Sequence, residues 1–209
     1  IGTVGDIVEL KSENRVFVKR GLVNIQESDR AGINALIETA GIAGKKITSG
    51  NVSFTLVPRI NAVGRLGFSG KSVSLLLTDD ENEAMSIAKQ LNEDNNERKE
   101  IEKNILMKID EMVKANPHIT NDRVLVIDGE GWHQGVIGIV AAKVKEFFGK
   151  PTVVISRDGE ERHRLARGLL LQNGLDPRDL LAENALGLFG SAQQLSLIHI
   201  SEPTRPEPI

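Results

Sequence analysis

At 209 residues, 40% hydrophobic and 26% charged, the chain is long enough for one large or two small domains of an ordinary globular protein. Its formal net charge of −3 excludes a globally basic nucleic-acid binder, so any grip on phosphate has to come from local patches. With no cysteine there is no disulfide framework or thiolate metal site, and with no apolar run of membrane-spanning length and no signal peptide the expected location is cytoplasmic, without a membrane partner.

The sequence opens on IGTVGDIVEL without a methionine, as a cut inside a domain would leave it. Helix-like spacing follows over Leu22 to Ile25 and Ile33 to Ala40, punctuated by Gly21, Gly32, Gly41 and Gly44. In NVSFTLVPRINAVGRLGF, residues 51–68, Pro58, Gly64 and Gly67 break regularity and predict a loop. SVSLLL then runs into TDDENE, where Thr78 or Asp79 is positioned to cap a long helix. Ala84, Ile87, Ala88 and Leu91 mark its apolar face, and Ile101, Ile105, Ile109 and Met112 resume one. Between them Asn92 to Glu100 contains no apolar residue, which predicts a segment polar all round, bridging two lobes through solvent. Asn116-Pro117 ends the helix.

The second lobe reads as strand (RVLVID, Arg123 to Asp128), helix (GVIGIVAAKVKEFFG, stopped by Gly149) and strand (PTVVIS), a unit that favours a parallel pair with a right-handed crossover. RGLLLQ predicts a third strand, and DPRDLLAENALGLFG a helix capped by Asp176 with Pro177 in its first position. The final stretch, LSLIHISEPTRPEPI, has neither helical nor strand period and reads as a translated sequencing-library adapter, so 195–209 is expected to be a non-native or disordered tail.

Three places carry candidate chemistry. Arg59, Asn61 and Arg65 sit together in PRINAVGRL; guanidinium forks suit phosphate oxygens, and Lys71 would extend the patch. The competing reading is an interdomain turn whose arginines pair with surface acids. In DGEGWHQGVIGIVAAKV, small residues open a helix whose free N–H groups would seat a phosphate, with Gly135 and Gly138 allowing close approach. Trp132 there either stacks on a base or seals a lobe interface, and His133 either faces substrate or caps the helix. Asp6, following a glycine, would on its own be a cap or turn residue. Lys143, Lys145, Lys150, Arg157, Arg162, Arg164 and Arg167 concentrate positive charge in the second lobe, opposite an acid-rich stretch from Asp79 to Glu102, as a cleft that draws in a single strand would have it.

In order and spacing, GTVGDIV, ENRVFVKRGL, PRINAVGRLG, LLLTDD, LNEDNNERKEIE and GWHQGVIGIVAAKV resemble the RecJ family of single-strand-specific 5′→3′ DNA exonucleases, within the DHH phosphoesterase superfamily. The resemblance runs over about residues 1–190 and implies an α/β fold: the C-terminal part of a DHH domain (1–80), a helical connector (81–116) and an incomplete DHH-associated domain with a small mixed sheet (117–194). It implies metal-assisted phosphodiester hydrolysis at a two-ion Mn²⁺ or Mg²⁺ centre in DNA repair and recombination, with single-stranded DNA as substrate and helicase or single-strand-binding proteins as partners of the complete protein. By the same resemblance Asp6 is a metal ligand and His133 a catalytic, substrate-side residue. Arg59, Asn61 and Arg65 line the DNA path, with Trp132, Gly135 and Arg167 as further nucleic-acid contacts. The segment HRLARGLLLQNGLDP departs from the family, keeping Arg167 and Gly168 but no Ser-x-Arg-Ser, and Ser191 and Ala192 stand where Gly and His are expected, which leaves Arg164 and Arg167 as fallback contacts. One carboxylate cannot hold two ions, so the fragment alone is expected to be inactive. Two alternatives stay open: a DHH phosphodiesterase for short oligonucleotides or cyclic dinucleotides, and a non-catalytic nucleic-acid-binding relative.

Overall fold

The structure, a computed structural model, describes residues 1–67 and 70–157. The third strand and last helix expected from RGLLLQ and DPRDLLAENALGLFG, the candidates Arg164 and Arg167, and the 195–209 tail lie outside these residues. Two compact units divide the chain, one over Ile1–Arg98 and the other beginning at Lys99.

The first unit is helical: α1 (Gly2–Gly5), α2 (Ser12–Gln26), α3 (Ala31–Thr39), α4 (Ser49–Asn51), a π-helical turn (Val52–Leu56), α5 (Val57–Leu66), α6 (Gly70–Leu77) and the first part of α7 (Glu81–Ala115). Leu36, Val52, Leu56, Leu75, Ala88 and Leu91 are fully buried in one cluster fed by these helices. Among the described residues this cluster contains no aromatic ring, and close backbone approach contributes to its fit. Gly32 shows this: a Cβ there would lie 1.8 Å from the carbonyl oxygen of Leu75, so α3 and α6 touch only because the position is glycine. Thr48 closes a capping box with Asn51 at the start of α4.

Over its described residues, 51–67, the expected loop is instead helix through Leu66, ending in a turn at Gly67. Pro58 is the second residue of α5 and follows directly on the π turn, so the chain stays helical there although Pro58 has no N–H to donate to the preceding turn. Gly64 lies inside the helix, and Gly67, at φ 130°, ends it. The cap of α7 is neither Thr78 nor Asp79. Asp80 accepts the backbone N–H of Glu83 at 2.7 Å, while Thr78 Oγ1 bonds the Glu83 carboxylate and accepts from the N–H of Asp80.

The middle of α7 also differs from expectation. Buried positions run Ala84, Ala88, Leu91, Asn95, Arg98, Glu102, Ile105 and Ile109, a strict alternation of four and three residues along one face. Asn95, Arg98 and Glu102 therefore continue the apolar seam with polar side chains, and the segment is not solvated all round.

In the second unit, β1 (Leu125–Glu130), α8 (Gln134–Phe148) and β2 (Thr152–Arg157) form the expected strand–helix–strand unit, with β1 and β2 parallel and Leu125 opposite Thr152 in register. Val136, Ile137, Val140, Ala141 and Val144 form the buried stripe of α8 against Leu125, Ile127 and Val154. Gly149, at φ 65°, stops α8 in the left-handed conformation that glycine adopts at least cost.

Candidate nucleic-acid interface

Because PRINAVGRL is helical, its polar residues divide between faces. At about 100° per residue, Asn61 and Arg65 lie one turn apart on the same side of α5, both exposed. Arg59 lies roughly 120–160° around the helix from them and is half-buried. The single grip expected of a loop is thus two features: an exposed Asn61–Arg65 pair and a separately held Arg59.

Arg59 is held by neutral groups. Its Nε donates to Oδ1 of Asn92 in α7 at 3.0 Å and its Nη1 to the carbonyl oxygen of Thr55, one turn earlier, at 2.6 Å. Partial burial pulls its pKa below the ordinary arginine value, because the charged form is deprived of water. Lys71 does not extend a free patch; its Nζ lies 3.9 Å from the carboxylate of Asp94. Asn95 accepts from Arg98 Nη2 at 3.2 Å, and its own Nδ2 is buried without a hydrogen-bond partner among the described residues. Asn92, Asp94, Asn95, Arg98 and Glu102 all lie in LNEDNNERKEIE, one of the stretches that carry the resemblance, but none was singled out as a site residue. The signal that would have found the last three is the four–three spacing, counted regardless of polarity.

In the Trp-His segment both named residues have structural partners within the second unit. Trp132 is 4% exposed and belongs to the second core, with Ser156 Oγ donating to its carbonyl oxygen at 2.6 Å. Its ring lies over Gly129 within the unit and presents no face to a base. His133 is the N-cap of α8: its Nδ1 accepts the N–H of Gly135 at 3.1 Å. Acceptance at Nδ1 puts the ring proton on Nε2, and only that nitrogen is left for a substrate-side role. The N–H groups of Val136 and Ile137 both reach the His133 carbonyl oxygen, so together with Gly135 on the ring nitrogen three N–H groups of the first turn are engaged within the helix.

Three of the second lobe's basic residues have partners among the described residues. Lys143 pairs with buried Glu102, Arg157 Nε meets Asp128 at 2.8 Å, and Lys150 donates to the carbonyls of Thr120 and Asp122. Asp6 is exposed at the end of the four-residue α1. Among the described residues no group of three or more His, Asp or Glu side chains is placed to hold a metal ion. The described residues therefore do not fit a two-ion centre, which needs several carboxylate or imidazole ligands converging on each site. No helix among them is long and apolar enough to cross a membrane.

What the fold defines is an α/β protein in which one 35-residue helix belongs in turn to a helical unit and to a parallel strand–helix–strand unit. No protein-family model matches the chain. Individual proteins do. The single-stranded-DNA-specific exonuclease RecJ of Escherichia coli is 31% identical over 97% of the chain and 36% of its own length, and that of Thermus thermophilus is 36% identical over 75% of the chain and 22% of its own length. A crystal structure of Thermus thermophilus RecJ with Mn²⁺ superposes on 74% of the chain and 23% of its own length at a TM-score of 0.66 and 35% identity. A second structure, exonuclease RecJ bound to manganese, covers 74% of the chain and 38% of its own at a TM-score of 0.64 and 34% identity. The chain belongs to the RecJ family. It spans about a third or less of the length of the curated relatives just named.

Proposed function

We propose that the chain is part of a single-stranded-DNA-specific 5′→3′ exonuclease that hydrolyses phosphodiester bonds in DNA repair and recombination, and that its own contribution is to hold the strand. The similarity to RecJ exonucleases along nearly the whole chain carries this reading. The chemistry of α5 supports it. Arg65 is an exposed cation with Asn61 one turn away, and Arg59 is a half-buried cation held by neutral acceptors, an arrangement suited to phosphate oxygens. Trp132 has no part in this, and His133 serves through its cap. Asp6 would be one carboxylate of a divalent-metal centre that the described residues do not complete, so the chain by itself binds without cutting.

The test is fluorescence anisotropy with a labelled single strand and with a duplex of the same sequence, followed by a gel for products after incubation with Mn²⁺. Salt-sensitive binding that favours the single strand, without products, is the expected result. Equal binding to the duplex, or none to either, would overturn the reading.

A further inference from the structure

Asn92 lies in the stretch of α7 that has no apolar residue, and its Oδ1 accepts a hydrogen bond from Arg59 Nε at 3.0 Å. The other acceptor on Arg59 is the Thr55 carbonyl oxygen, at 2.6 Å. Both acceptors are neutral, and none of the ion pairs among the described residues includes Arg59. A guanidinium carried partway out of water without a counter-charge is stabilised by an incoming anion. Of its five N–H donors, the two bonds engage one on Nε and one on Nη1, leaving Nη2 with both of its hydrogens.

The residue type at 92 matters. A carboxylate would orient the guanidinium equally well but would neutralise it. An amide oxygen fixes the orientation and leaves the full charge for the ligand. We propose that Asn92 is the positioning residue for Arg59, holding its Nε so that the Nη2 edge meets a backbone phosphate of the single strand. This rests on the reading of Arg59 as a phosphate contact.

A double-mutant cycle tests it on the full 209-residue chain, by anisotropy of a labelled single-stranded oligonucleotide at several salt concentrations, with thermal melts of each variant. Arg59→Ala should weaken binding and flatten the slope of log K against log salt by about 0.7. Asn92→Ala should weaken binding roughly threefold to tenfold, the loss expected for one hydrogen bond, and should add nothing in the Arg59→Ala background. Asn92→Asp keeps the acceptor and so the melting temperature, yet should bind less well with a flatter salt slope, because it quenches the cation. A merely structural tie predicts the reverse for this variant, unchanged binding with unchanged stability. If Arg59→Ala binds like the original chain, the phosphate reading of Arg59 fails, and the proposal with it. If Arg59→Ala weakens binding while Asn92→Ala does not, or if the two losses simply add, that reading stands and the role of Asn92 is overturned.

Discussion

The indole of Trp132 fills the space that any side chain at Gly129 would need: a Cβ added at Gly129 would lie 2.2 Å from the ring. The two residues make one packing unit at the end of β1. Gly129→Ala should therefore destabilise the second unit by about 1–3 kcal/mol through overpacking. Trp132 is the chain's one tryptophan, so its fluorescence during thermal unfolding reports the change directly. An unchanged midpoint would mean that the ring has room to move and is not fixed by this contact.

His133 caps α8 through a ring nitrogen, a job that an amide oxygen can also do. His133→Ala should cost about 1 kcal/mol in denaturant unfolding followed at Trp132, and His133→Asn should recover most of it. Equal losses in both variants would show that the cap contributes little and that the imidazole itself is needed.

Asp80 starts α7 by accepting the N–H of Glu83 at 2.7 Å. Asp80→Ala should lower the stability of the first unit by about 0.5–2 kcal/mol, while Asp79→Ala, for which no cap bond is seen, should change it by less than about 0.5 kcal/mol. Circular dichroism melts of the two variants separate these outcomes, and the opposite ranking would move the cap to Asp79.

The strand–helix–strand unit was legible because each element carries its own signal: apolar runs of strand length, an apolar stripe at helical spacing, and Gly149 as a stop. Residues 51–67 were not, because proline and glycine were counted as breakers. Pro58 follows directly on the π turn with the chain still helical, and Gly64 costs α5 only its lower propensity. The seam of α7 was hidden for a different reason. A search for apolar periodicity stops at Asn95, Arg98 and Glu102, although their spacing continues it without a slip. At the Trp-His segment a helix cap for His133 and a packing role for Trp132 stood only as the competing readings, while the resemblance favoured substrate-side roles for both. What the sequence could not convey is that Gly129 makes room for the ring inside the core, and that His133 takes up the Gly135 N–H that a phosphate would have used.

The central claim is that α5 provides the charge that holds a single strand. It is tested by comparing two double substitutions of equal charge loss, Arg59→Ala with Arg65→Ala, and Lys45→Ala with Lys46→Ala, the second pair being exposed lysines outside α5. Labelled single-stranded oligonucleotide is titrated across a salt series by fluorescence anisotropy. The arginine pair should weaken binding and flatten the salt slope by roughly one to two units, as loss of two phosphate contacts requires, and the lysine pair should leave both nearly unchanged. If the two pairs behave alike, or if the arginine variant keeps the affinity and slope of the original chain, α5 is structural and the strand is held elsewhere.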